Sequence, residues 1–208
     1  ALLCNDADLH LHGETWVVEG DPMEGALLSF AGKTGLDPLH SAYEWPRLDT
    51  VPFDSRHRFM ATLNRHADHE HAATIFVKGA PEKILSMCAS QMCEDGEKPL
   101  DSRWWLEKSD DIAGKGQRVL ALAMKPAATG QSHLSVQDLQ QGLVLIGMTG
   151  MIDPPREEAI TAVTECRNAG IRVKMITGDH ARTAAAIGAQ IGLESHDKVM
   201  TGNDIDQI

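Results

Sequence analysis

The stretch VKMITGDHART, Val173–Thr183, holds the residues best suited to chemistry by type and spacing. A run of apolar and β-branched residues stops at Thr177-Gly178-Asp179, and helix-forming sequence follows at once. A strand that ends in a small-residue turn and enters a helix presents free backbone N–H groups and the positive end of a dipole, which suit a phosphoryl group. Thr177 adds a hydroxyl donor and Gly178 permits close approach. Asp179 is either a helix cap or part of such a site, and these three residues alone do not separate the two.

Other stretches have similar chemistry. In FVKGAPE (Phe76–Glu82), Lys78 ends an apolar strand beside a glycine turn, which holds its ammonium where a phosphate or purine can meet it. An ordinary surface lysine is the alternative. In VPFDSRHRFMATL (Val51–Leu63), Phe53 follows a proline and precedes Arg56, His57 and Arg58. An aromatic face with nearby cations suits an adenine with its phosphates, although a core phenylalanine fits the same pattern. Glu24 of GDPMEGAL stands three residues after Asp21, so a capping box competes with a ligand role. Arg118 of GQRVLALA heads a strand, where it either grips a phosphate or is simply solvated.

Three suggestive strings carry less. FAGKTG lacks the earlier glycine of a phosphate-binding Walker loop, because Leu27 stands there, and it lies at a helix end. HADHEH (His66–His71) has no cysteine or convergent acid and reads as a polar hairpin loop, so no metal site is expected. DLHLHG alternates as an exposed strand does.

These residues need a scaffold, and 208 residues suffice for one large or two small cores. Nineteen basic against thirty acidic residues leave a charge of −11, which argues against a nucleic-acid partner. The four cysteines, Cys4, Cys88, Cys93 and Cys166, have no framework spacing and read as free thiols of a reducing compartment. No run of about 18 apolar residues is present to span a membrane. Ala1 starts in mid-stream and NDIDQI closes without a stop, as in a piece of a longer chain.

The first half alternates strands and helices. ETWVVEG is an expected strand, followed by a helix capped by Asp21, opened by Pro22 and closed by Gly35. ATIFVKGAPEKILSMC reads as strand, turn and helix, and RVLALAMKP and GLVLIGMTGMI as strands. Segments 94–102 and 127–140 read as loops. From Asp153 the order becomes a helix (capped by Asp153), strand IRVKMI, turn and helix, a piece of a doubly wound parallel sheet. A domain boundary is expected near Gly150–Pro155, giving domains 1–150 and 151–208.

In this order, GDPMEGALL, PFDSRHRFMATL, FVKGAPEKI, GQRVLALA, GMIDPPREE and MITGDHARTA resemble the cytoplasmic part of cation-transporting P-type ATPases, in the calcium and sodium/potassium pump group. The resemblance covers most of the chain. It implies an α/β fold: a nucleotide-binding domain with a mainly antiparallel twisted sheet flanked by helices, then part of a haloacid-dehalogenase-like phosphorylation domain. It implies ATP as ligand, and Mg2+ in the full-length protein. Phe53 would stack on adenine, with Glu24 near its amino group. Lys78 and Gly79 would form the pocket base, Arg118 would meet the phosphates, and Leu120 would be an apolar wall. Arg58 replaces a lysine common in part of the family. Asp153 and Pro154 would lie at the interdomain hinge. Thr177, Gly178 and Asp179 would be the phosphoryl-site turn.

The family's phosphorylated Asp-Lys-Thr-Gly-Thr string and its later Gly-Asp-Gly-x-Asn-Asp motif are both absent. The expectation is a soluble, ATP-binding portion of an integral membrane pump, unable by itself to form a phosphoenzyme. Its partners would be the transmembrane and actuator domains of the same chain. A stand-alone nucleotide-binding module and a haloacid-dehalogenase-type phosphatase are the alternatives, the second lacking its Asp-x-Asp nucleophile.

Overall fold

The computed structural model describes residues 1–68, 72–152, 155–178, 181–195 and 198–205. A hairpin comes first, with β1 (Asp8–His12) antiparallel to β2 (Thr15–Glu19). Helix α1 (Pro22–Lys33) follows, and the Asp21 carboxylate accepts from the Met23 and Glu24 N–H groups as the sequence expects. Helix α2 (Pro38–Glu44) repeats the device with Asp37 as cap.

A mainly antiparallel sheet then forms from β3 (Arg47–Asp54), β4 (Phe59–Arg65), β5 (Ala73–Gly79), β6 (Cys88–Cys93), β7 (Gly96–Pro99), β8 (Arg118–Pro126) and β9 (Leu143–Met151). Its strand order is β3-β4-β5-β8-β9-β6-β7, and β6 runs parallel to β9. Helix α3 (Pro81–Met87) leaves β5 at the Gly79-Ala80 turn, and α4 (Ser102–Ala113) follows β7. The expected loop at 94–102 therefore contains strand β7, paired with β6 across a turn at Glu94-Asp95. A short 3-10 turn at Val136–Leu139 interrupts the other expected loop.

Strand β4 is buried along nearly its whole length. It alternates between two covered faces, one filled by apolar residues and the other also burying Thr62 and Asn64. On one face stand Phe59, Ala61 and Leu63, opposite Gly79, Val77 and Ile75 of β5. Helix α3 covers this face, with the Lys83 ammonium 5.8 Å from the centre of the Phe59 ring. The other face presents Met60, Thr62 and Asn64 opposite Lys78, Phe76 and Thr74. Here the start of α1 closes over Lys78.

The chain divides into two compact units: residues 1–102 with 120–149, and residues 103–119 with 150–208. In the second, α5 (Glu157–Asn168), α6 (Ala181–Gln190) and α7 (Gly202–Ile205) accompany α4. The Thr183 hydroxyl donates to the Gln117 carbonyl at 3.2 Å, and Arg182 pairs with Asp110 at 3.6 Å.

Two expectations here are corrected. Helix α5 starts at Glu157 with Arg156 at its N-cap position, four residues into the stretch expected to be helical. Residues 171–176 form no strand, and Ile176 is 99% exposed. A strand needs a neighbour for its N–H and C=O groups. Among the described residues no strand is paired with this segment.

Candidate functional site

Glu24, Phe53, Arg58, Lys78, Gly79 and Leu120 all lie in the first unit. Lys78 sits at the end of β5 with 6% exposure. Its ammonium donates to Glu24 Oε1 at 2.5 Å, and Glu24 Oε2 accepts the Asp6 N–H at 2.9 Å. The capping box open to Glu24 is therefore not formed; its carboxylate serves Lys78 and Asp6 instead. Asn5 fixes the same helix start by donating to the Glu24 carbonyl at 2.9 Å. A buried ammonium without a partner would cost several kcal/mol, and the Glu24 carboxylate removes that penalty.

Phe53 is reached through a bulge. Val51 pairs with Ala61, but the next pair is Asp54 with Phe59, so β3 carries one extra residue across Pro52-Phe53. Asp54 shares the face of Phe59, and alternation sets Phe53 on the opposite face, that of Met60 and Lys78. It stands 64% exposed there, so the core-phenylalanine alternative is excluded. Leu120, two residues before the Leu122 that pairs with Lys78, lies buried on the same face of β8.

The β3–β4 turn is clamped to the β5–α3 turn. The Arg58 and His57 N–H groups donate to the Asp54 carbonyl at 2.7 and 3.0 Å, and the Ala80 N–H donates to the Arg58 carbonyl at 3.0 Å. Gly79 has no room for a side chain: a Cβ would lie 2.5 Å from the Arg58 carbonyl oxygen and 2.7 Å from the Phe59 Cβ. Arg58 takes a positive φ of 59°, uncommon outside glycine, and its guanidinium pairs with Glu82 at 2.5 Å. Arg56 folds onto Asp54, and its guanidinium and backbone N–H hold that carboxyl far below the usual carboxylate range.

Sequence reasoning missed the roles of Asp6, Asp54 and Glu82. Only Asp54-Ser55-Arg56 carries a local signal, an acid able to bond the N–H two residues on. A shallow cleft of about 340 Å³ lies on the α3 face, lined by His57, Phe59, Lys83, Met87, Val136 and Gln140 among others, and contains none of the expected ligand residues.

The remaining expected site residues fall elsewhere. Arg118 opens β8 within the second unit. Thr177 and Gly178 are exposed before α6. Asp153, Pro154 and Asp179 lie outside the described residues, as do His69 and His71 of the histidine-rich turn. Among the described residues, no group of three or more His, Cys, Asp or Glu side chains is placed to hold a metal. No helix among them is long and apolar enough to cross a membrane.

Residues 1–158 match the family model for the P-type ATPase cytoplasmic domain N. The chain belongs to this family. The N-domain match runs through every element of the Lys78 face, from the β1–β2 hairpin to β9. Similarity to curated relatives continues beyond it. The chain is 45% identical over 193 residues to the "Cation-transporting ATPase pma1" of Synechocystis sp. PCC 6803, covering 92% of this chain and 21% of that protein. It is 40% identical over 201 residues to the "Probable cation-transporting ATPase F" of Mycobacterium tuberculosis, covering 96% and 22%. It is 33% identical over 211 residues to a "Calcium-transporting ATPase" of Bacillus subtilis, covering 99% and 23%. The chain thus spans about a fifth of the length of these relatives.

Proposed function

We propose that the Lys78 face of the first unit binds ATP through its adenine ring. The observation that carries this is Phe53: a large aromatic ring, 64% exposed, set by a bulge on the face of a buried Lys78–Glu24 pair. Such a ring offers a stacking surface, the Glu24 carboxylate can accept from an exocyclic amine, and Leu120 supplies an apolar wall. Arg58 stands at the rim and Arg118 would meet the phosphates.

In the longer protein this portion would present the nucleotide for phosphoryl transfer to an aspartate outside this sequence and so drive cation transport. Residues 1–150 would act as the nucleotide-binding domain. Residues 151–208 would contribute to the phosphorylation domain, with Asp153 and Pro154 at the hinge and Thr177, Gly178 and Asp179 at the phosphoryl group. The partners would be transmembrane and actuator domains of the same chain, which makes this the cytoplasmic portion of a membrane pump. Mg2+ would act in the full-length protein, bridging carboxylates and the nucleotide's phosphates. Without an Asp-Lys-Thr-Gly-Thr string, this chain has no family nucleophile, and incubation with ATP should yield no acid-stable, hydroxylamine-labile phosphoprotein.

ATP titration by calorimetry or NMR tests the site. Phe53→Ala should weaken binding roughly 10-fold, as loss of one base-stacking contact does. Its melting temperature should hold, because the ring is exposed. If Phe53→Ala and Lys78→Ala both leave affinity unchanged, the adenine site is misplaced.

A further inference from the structure

Three cations of the first unit are each matched to a carboxylate of that unit: Lys78 to Glu24, Arg56 to Asp54, and Arg58 to Glu82. The first pair is buried, and the second closes a turn on itself. The third joins two elements. Arg58 belongs to the turn that follows Phe53, and its backbone carbonyl is bonded to the Ala80 N–H at the start of α3. Glu82 occupies the first turn of that helix, where a carboxylate is favoured by the dipole. Both side chains of the pair are about half exposed. The guanidinium is therefore open to solvent with its charge already matched.

We infer that Glu82 is a specificity-determining residue of this face, setting how strongly it prefers a nucleoside polyphosphate over the bare nucleoside. The inference rests on the nucleotide site proposed above. A lone guanidinium at the rim would attract a polyphosphate across roughly a Debye length, about 8 Å at physiological salt. With a carboxylate 2.5 Å away the pair acts as a dipole, whose field falls off faster than that of a charge. Glu82 also contributes its own repulsion toward the phosphates. Recognition is thereby shifted toward the base held at Phe53. No phosphate contact by Arg58 is needed for this effect.

The test compares adenosine with magnesium-free ATP, titrated into the chain and its variants by NMR at low and physiological salt. Glu82→Gln should tighten ATP roughly 2- to 5-fold, the range of an exposed charge pair, with adenosine unchanged and the gain shrinking as salt is added. In an Arg58→Ala background the same substitution should give a smaller gain. Thermal melting of each variant confirms that the fold is kept. A weaker ATP affinity in Glu82→Gln overturns the inference, since Glu82 would then be aiming Arg58 at phosphate. An unchanged ATP-to-adenosine ratio overturns it as well. If neither ligand binds the parent chain, the nucleotide site itself is refuted. If adenosine binds and is lost in Phe53→Ala while the Glu82→Gln ratio stays fixed, only the role of Glu82 falls.

Discussion

Removing Glu24 should destabilise the first unit far more than a surface acid would. Lys78 is 6% exposed and its ammonium donates to Glu24 at 2.5 Å, so Glu24→Ala leaves a buried charge with no carboxylate. Breaking a buried pair from one side costs about 3–5 kcal/mol. The Glu24 side chain keeps 14% exposure, which gives water a path to the ammonium and argues for the lower end, about 3 kcal/mol. In a chain of this size that corresponds to a melting temperature lower by roughly 6–12 °C.

The double variant Glu24→Gln/Lys78→Met removes both charges and should return to within about 1 kcal/mol of the parent, because desolvation offsets most of the Coulombic gain of a buried pair. Urea unfolding followed by circular dichroism measures each variant, and only the transition of the first unit should move. The argument fails if Glu24→Ala costs less than about 0.5 kcal/mol, the scale of an exposed pair. It fails equally if the double variant costs the sum of the two single changes, since that would mean the groups are not coupled.

Two further expectations follow from charge and burial. Asp54 is held low by Arg56, so its stabilising contribution is present above the ordinary carboxylate value of about 3.9 and is lost as pH falls through the lower folded value. In an NMR titration Asp54 should stay ionised at about pH 3 and move up toward about 3.9 in Arg56→Ala; an unchanged midpoint would refute the Arg56 account. Burial raises the Cys4 thiol and pushes Cys88 up to about 12, so neither should be alkylated by iodoacetamide at about pH 8 in the folded chain, while both react in urea. Mass spectrometry reads this directly, and rapid native labelling of Cys88 would contradict it.

What the sequence made legible depended on how local each signal was. Asp21-Pro22 announced α1, and Pro81-Glu82 announced α3, because caps and first-turn residues act within a few positions. The same logic was available for α2 in Asp37-Pro38, and Gly96, at a φ of 106° just after the Glu94-Asp95 turn, marks the β6–β7 hairpin. Lys78 and Glu24 were legible as separate candidates, but their pairing across 54 positions was not. Nor was the bulge at Pro52-Phe53, since register arises from both strands together.

Ile176 and Phe53 show why exposure alone does not make a site. Both are large apolar residues left open to water, and both lie in stretches that resembled ligand-binding turns. Residues 171–176 have the β-branched pattern of a strand, yet that propensity reflects fit to neighbouring strands and faces more than a backbone preference. Among the described residues no strand pairs with it, and the pattern yields no strand. Phe53 differs in what surrounds it. Its strand is paired on both sides of the bulge, the Arg58 carbonyl is tied to Ala80, and Gly79 packs against the Arg58–Phe59 backbone too closely for any other residue. On the same face, Lys78 is held by Glu24. A ring that remains exposed on so constrained a support would lose little freedom if a base stacked on it, and that low ordering cost is the physical argument for the adenine site proposed here over one at the Thr177 turn.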